Sequence, residues 1–155
     1  MSKLYIVGTP IGNLEDITLR AVRVLKEVDI ILCEDTRVTK RLLEKYEITQ
    51  KQLMGYNERE SGASIEKIVK ILESGKNIAL VSDAGTPGIS DPGALLVNRA
   101  RQAGVNIISI PGANAAIAAL SISGIPASDF LFLGFLPHKK GRETLFKEIA
   151  VSKRT

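Results

Sequence analysis

The stretch Val81–Gly93, VSDAGTPGISDPG, constrains the fold more than any other part of the chain. An apolar β-type run, Ile78–Val81, stops at Ser82-Asp83, and Gly85, Pro87, Gly88 and Gly93 then set the backbone. Asp91-Pro92 reads as a helix N-cap followed by the first helical position, where proline is tolerated. Ordinary connections from strand to helix take roughly two to six residues, and this one takes roughly eight. A loop of that length and composition exposes backbone N–H and C=O groups beyond the strand end, so it reads as a binding loop.

The same pattern recurs along the chain. Lys3–Val7 is a β-type run that opens into Gly8-Thr9-Pro10-Ile11-Gly12-Asn13. Thr18 caps an expected helix through about Glu27, with Leu19, Val22, Leu25 and Val28 on one stripe. Asp29–Cys33 is a continuous apolar strand, the kind buried on both faces of a parallel sheet. It ends in Glu34-Asp35-Thr36-Arg37, before a helix carried by Val38, Leu42, Leu43 and Tyr46. Gln52–Tyr56 is a third strand, followed by the polar residues 57–62 and a helix marked by Ile65, Ile68, Val69 and Leu72, with Gly75 as its C-terminal cap. Asn77–Ser82 is the fourth strand. Leu95, Leu96, Ala100 and Ala103 mark a helix closed by Gly104, and Val105–Ile110 is the fifth strand, ending in Pro111-Gly112-Ala113-Asn114-Ala115-Ala116. A small-residue helix, Ala115–Ser123, follows and is ended by Gly124 and Pro126.

Five such alternations predict an α/β fold, a parallel, doubly wound sheet with right-handed crossovers. Ligands of such sheets bind beyond the carboxyl ends of the strands at a topological switch point. The loops after strands one, four and five therefore share one edge if those strands are neighbours.

With 155 residues, 45% of them hydrophobic and 25% charged, the chain has globular composition and length for one domain with a real core, or one domain and part of another. No apolar run reaches the ~20 residues of a membrane span, and the N-terminus lacks the apolar core of a signal peptide. The single Cys33 fits a reduced, cytoplasmic setting and reads as a small buried hydrophobe. The net charge of +4 is unevenly placed: residues 137–155 hold six Lys/Arg against two Asp/Glu, and the rest of the chain is formally neutral. An anionic partner is expected there, although a solvated lysine-rich helix gives the same pattern. All four Phe lie at or beyond position 130, in the alternating run FLFLGFLP and the basic segment after it. A domain boundary is expected near 122–128, between an N-terminal domain, 1–122, and a second segment, 128–155.

Neither G-x-G-x-x-G after the first strand nor G-x-x-x-x-G-K-[ST] is present, so neither a standard dinucleotide fingerprint nor a P-loop is expected. One histidine, His138, and one cysteine give no expectation of a metal site. The candidate acid/base groups are carboxylates: Asp16, Glu34, Asp35, Glu58, Asp83 and Asp91. Asp91 reads as a helix cap and Asp16 as a turn residue. Asp83 either orients its loop or touches a ligand, and Glu34-Asp35 with Arg37 forms either a substrate contact or a structural ion pair.

Taken together, VGTPIGNLEDIT (Val7–Thr18), CEDTR (Cys33–Arg37), YNERE (Tyr56–Glu60), SDAGTPGISDPG (Ser82–Gly93), PGANAAIAAL (Pro111–Leu120), SGIP (Ser123–Pro126) and GFLPHKKGR (Gly134–Arg142) closely resemble the tetrapyrrole methylase superfamily of S-adenosylmethionine-dependent methyltransferases. Within it they resemble the small-subunit ribosomal RNA (cytidine-2′-O)-methyltransferase branch. The resemblance implies a sheet in the order 3-2-4-1-5, followed by the start of a second α/β domain that family members continue well past residue 155. It implies S-adenosyl-L-methionine as cofactor, contacted at Ile11, at Ala84, Gly85, Thr86 and Ile89, and at Asn114 and Ala115.

The resemblance further implies transfer of a methyl group to a ribose 2′-hydroxyl. Asp35 or Glu58 is then expected to accept the proton, with Arg37 and Asn57 orienting ribose or phosphate. Lys139, Lys140 and Arg142 would contact RNA phosphates of the small ribosomal subunit. The wider superfamily shows G-x-G-P-G-D after strand one where this chain has Gly8-Thr9-Pro10-Ile11-Gly12-Asn13, which favours the RNA branch over the alternative of a tetrapyrrole substrate. A second alternative is a non-catalytic ligand-binding fragment. An apolar strand at FLFLGFLP without most of its sheet invites pairing with another copy of the chain, so a homodimer is expected.

Overall fold

The computed structural model describes residues 2–57 and 62–151. Five strands, β1 (Lys3–Val7), β2 (Ile30–Cys33), β3 (Gln52–Gly55), β4 (Ile78–Val81) and β5 (Asn106–Ile110), form one sheet in the order β3-β2-β4-β1-β5. All neighbouring pairs are parallel, with Leu4 opposite Ile78 and Ile107, and Ile31 opposite Leu53 and Ala79. Strands four, one and five are therefore neighbours, as the resemblance implies.

The period of two along the central strands decides which helices cover which face. Ile30, Leu32, Ile78 and Leu80 join Leu4 against Ile65, Ile68, Val69 and Leu72 of α3 (Gly62–Glu73) and Leu96 and Ala100 of α4 (Ala94–Gln102). The alternate residues Ile31, Cys33, Ala79 and Val81 join Val7 and Ile110 against Ala21, Val24 and Leu25 of α1 (Leu19–Glu27) and Leu43 of α2 (Thr36–Lys45). Every residue of β2 and β4 is buried, which is why both runs are apolar throughout. Cys33 is one of them, and burial pushes its thiol pKa up.

Thr18 caps α1 as expected, its hydroxyl accepting from the Ala21 N–H at 3.1 Å. The buried face is turned from the expected stripe: Ala21, Val24 and Leu25 point inward, and Leu19, at the first helical position, is 91% exposed. Gly75, at φ +97, donates to Leu72 O at 2.9 Å and closes α3. The start of α4 differs from expectation. Gly93, not Asp91, is the N-cap, and no side chain caps the helix. Gly93 stands at φ +150, and a β-carbon there would meet Leu80 Cδ2 at 3.0 Å and Gly88 N at 3.2 Å. Close packing of the loop against β4 therefore sets where the helix begins.

The chain divides into two compact units, Met1–Ala115 and Ala116–Thr155. A helix α5 (Ala115–Ile122) runs from the end of the first into the second, which also carries α6 (Arg142–Ala150). Neither helix has a buried residue. The alternating run 130–136, expected as a strand, is irregular here. A strand needs a ladder partner, and no described residue of the second unit supplies one.

Candidate active site at the carboxyl edge of the sheet

The loops that leave the carboxyl ends of the strands are tied to one another in the order of the sheet. Between β5 and β1, the Gly8 N–H donates to Ile110 O at 3.0 Å. Gly8 and Gly112 touch backbone to backbone there, and a β-carbon on Gly8 would lie 2.8 Å from Gly112 Cα. Between β1 and β4, Thr9 and Gly85 exchange backbone hydrogen bonds, Thr9 N to Gly85 O at 2.8 Å and Gly85 N to Thr9 O at 3.2 Å. The buried Thr9 hydroxyl donates to Ser82 O at 3.0 Å and lies 3.3 Å from Gly85 O. Between β4 and β2, Asp83 Oδ1 accepts from the Asp35 N–H at 3.0 Å. Between β2 and β3, the Tyr56 N–H donates to Cys33 O at 2.8 Å.

These ties gather the expected cofactor residues of the first unit. A β-carbon built on Gly85, which stands at φ +84, would sit 3.8 Å from Ile11 Cγ2, so the Ile11 side chain faces the Gly85 backbone. Ala84 and Thr86 flank that glycine, and the Ile89 N–H donates to Thr86 O at 3.2 Å, closing the loop on itself. Asn114 and Ala115 follow two and three residues after Gly112, and both are exposed. The surface so formed is largely backbone, glycine and alanine.

Asp35 caps α2: its carboxylate accepts from the Arg37 N–H at 2.8 Å. The Arg37 guanidinium folds back onto it, with Nη2 to Oδ2 at 2.6 Å and Nε to Oδ1 at 3.1 Å. That guanidinium, and after it the Arg37 backbone N–H, hold the carboxyl pKa down to about 2, and the carboxylate in turn raises that of Arg37. An aspartate directly before a helix is an N-cap signal, so this role was available to the sequence reading beside the two that it weighed. The Thr9 clasp has no such local signal, because its partners lie 73 and 76 residues away. Asn57 is exposed just past β3. Glu58, the other expected proton acceptor, lies outside the described residues.

In the second unit, Lys139, Lys140 and Arg142 gather where α6 begins, all three exposed. The Arg142 guanidinium stands 5.6 Å from the centre of the Phe146 ring, and Lys147 pairs with Glu143 at 2.8 Å.

A sequence profile of the tetrapyrrole (corrin/porphyrin) methylases matches residues 3–155. The chain belongs to the tetrapyrrole methylase family. It is 51% identical over 154 residues to the ribosomal RNA small subunit methyltransferase I of Thermotoga maritima, a match that covers 99% of this chain and 69% of that one. To the protein of the same name from Halalkalibacterium halodurans it is 51% identical over 98% of this chain and 53% of that one. For the Mesorhizobium japonicum protein of that name the identity is 50%, over 90% and 47%. The chain thus spans about half the length of several relatives that it matches. Among solved structures, a diphthine synthase superposes with a TM-score of 0.67 at 19% identity, over 84% of this chain and 52% of that one. A uroporphyrin-III-C-methyltransferase from Thermus thermophilus gives 0.59 at 25%, over 83% and 55%. Both share the tetrapyrrole methylase fold, and family members use S-adenosyl-L-methionine.

Proposed function

We propose that the protein to which this chain belongs transfers a methyl group from S-adenosyl-L-methionine to a ribose 2′-hydroxyl of small-subunit ribosomal RNA. The observation that carries this reading is the set of ties between the loops after β1, β4 and β5, which places Ile11, Gly85 and Gly112 on one surface. That surface suits the cofactor: a cradle of glycine backbone whose Cβ positions are empty accepts a ligand gripped mainly through backbone groups. Ile11, Ala84, Gly85, Thr86, Ile89, Asn114 and Ala115 would hold it. When bound, S-adenosyl-L-methionine supplies an electrophilic methyl group on its sulfonium, so no protein nucleophile is needed.

The work left to the protein is positioning, exclusion of water and removal of one proton. Asp35 is a weak base for the last task, because its carboxyl is held at about 2 and already accepts from Arg37. We therefore give the proton to Glu58 and a positioning role to Asp35, Arg37 and Asn57. Lys139, Lys140 and Arg142 would meet RNA phosphates. The tetrapyrrole alternative has the names of some structural relatives behind it, but the loop after β1 lacks the superfamily's G-x-G-P-G-D. The membrane offers no competing role, since no helix among the described residues is long and apolar enough to cross one.

The test has two parts. Calorimetry with S-adenosyl-L-methionine asks whether the loop surface binds the cofactor. Methyl transfer to purified small subunits, using the protein extended to the length of its relatives, asks for the activity, with Glu58→Gln and Asp35→Asn as variants. Loss of turnover in Glu58→Gln with cofactor affinity retained is the expected result. Unchanged turnover in both variants removes the proton-acceptor assignment, and activity on a porphyrinoid without RNA would overturn the substrate. Sedimentation of the same protein tests the expected homodimer.

A further inference from the structure

Asp91 reads from the sequence as the cap of α4, and the structure releases it from that role. Gly93 takes the cap position without a side-chain bond, and Asp91 makes no hydrogen bond or ion pair among the described residues. It is half-buried, and it lines a cavity of ≈ 200 Å³ with Tyr56, Asn57, Ile65, Gly93 and Leu95. The cavity lies within the first unit, beyond the carboxyl end of β3 and beside the start of α4. It is thus on the same edge of the sheet as Asp35 and the loop after β4.

Size and chemistry narrow what this cavity can take. At ≈ 200 Å³ it is smaller than the roughly 300–1,000 Å³ of sites that enclose a whole drug-sized ligand. It suits one ring system, not a cofactor or a porphyrinoid. Tyr56, 3% exposed, Ile65 and Leu95 give it aromatic and apolar walls. Asp91 is the only charged residue of its described lining, so a phosphate or carboxylate is repelled and a neutral hydrogen-bond donor is favoured. The Asn57 side chain adds both a donor and an acceptor. A flat heterocycle with an amino group beside a ring acceptor answers this lining. RNA-binding proteins read unstacked bases in this way, by stacking and by hydrogen bonds to their edges.

We propose that this cavity receives a single nucleobase bearing an exocyclic amino group, with Asp91 accepting a hydrogen bond from that amine. The proposal rests on the RNA reading above and names the part of the substrate that Asp91 selects. Cytosine and adenine satisfy it. Uracil, with a carbonyl in the amine's place, turns an acceptor toward the carboxylate and does not.

The test is an amide-resolved NMR titration of this chain with cytidine, adenosine and uridine. The expected result is that cytidine and adenosine shift the amides of Asn57, Gly93, Ala94 and Leu95. They bind about tenfold more tightly than uridine, the scale of one hydrogen bond to a charged group. Asp91→Asn, whose spectrum also reports whether it is folded, brings that ratio close to one. Equal shifts from uridine, nucleoside shifts confined to other residues, or a preference that survives Asp91→Asn would each overturn the proposal. Titration of the same sample with S-adenosyl-L-methionine reads the amides of Ile11, Gly85 and Ile89 instead. Silence there sinks the methyl-transfer reading without bearing on the cavity.

Discussion

The backbones of Gly8 and Gly112 touch: a β-carbon on either would come within 2.8 Å of the other's main chain. The contact fixes the loop after β1 against the loop after β5, immediately before Asn114 and Ala115. Gly8→Ala has nowhere to put its methyl group except by separating the two loops. A cost of about 1–3 kcal/mol is expected from overpacking, seen as a lower midpoint in chemical denaturation, with loss of S-adenosyl-L-methionine binding in calorimetry. Gly55→Ala serves as the control, because no atom lies within 4 Å of its added carbon and stability is expected to hold.

Thr9 joins the loops after β1 and β4 through its hydroxyl as well as its main chain. Thr9→Val keeps the shape and leaves the buried Ser82 carbonyl without that donor. An unsatisfied buried polar group costs about 1–3 kcal/mol, so Thr9→Val is expected to lower stability by that amount and weaken cofactor binding. Thr9→Ser keeps the hydroxyl and retains most of both. If valine and serine behave alike in denaturation, the hydroxyl is not what holds the loops.

The depressed carboxyl of Asp35 sets a pH dependence. Its pKa falls from the ordinary 3.8 to about 2 on folding, chiefly because of the Arg37 guanidinium and next the Arg37 N–H. The unfolded chain therefore takes up this proton first as pH falls, so the contribution is complete above the ordinary value and is lost as pH drops through about 2. Carbon-detected titration is expected to find Asp35 ionised at pH 3. In Arg37→Gln its midpoint moves back toward the ordinary value.

Leu80 lies in the middle of β4, 1% exposed, between α3 and α4. Leu80→Ala opens a cavity at the centre of the sheet and is expected to cost about 2–5 kcal/mol, read by urea denaturation. Leu95→Ala on the neighbouring helix, with Leu95 53% exposed, is expected to cost under about 0.5 kcal/mol, as surface changes usually do.

The cations at the start of α6 predict salt-sensitive RNA affinity. Removing three phosphate contacts with Lys139→Ala, Lys140→Ala and Arg142→Ala is expected to flatten the slope of log K against log[salt] by about two to three. Filter binding across salt concentrations measures it, and an unchanged slope places the RNA elsewhere.

How much of this was legible in the sequence follows from the range of each interaction. The continuous apolar runs at Ile30–Cys33 and Ile78–Val81 announce strands covered on both faces, and the structure covers both. Thr18 and Gly75 act locally, and their capping roles were readable. The face of α1 was not, because a helix stripe is set by what it packs against: Ala21 and Val24 meet the sheet while Leu19 does not. The displaced cap of α4 likewise depends on Leu80, thirteen residues upstream of Gly93, which leaves room only for glycine at that turn. In the site, the loops were legible as loops. The ties that make them one surface were not, since Thr9 meets Ser82 and Asp35 meets Asp83 across long sequence separations.

The bonds between Gly8 and Ile110, Thr9 and Gly85, and Asp35 and Asp83 have a consequence for the thermodynamics of ligand capture. The main chain around Ile11 and Gly85 is already ordered in the folded protein, so the entropy lost in ordering it belongs to folding and is not repeated when a ligand arrives. Affinity at this edge is therefore limited by fit and desolvation, and substitutions that loosen a tie should weaken binding through an unfavourable entropy rather than through lost contacts to the ligand itself.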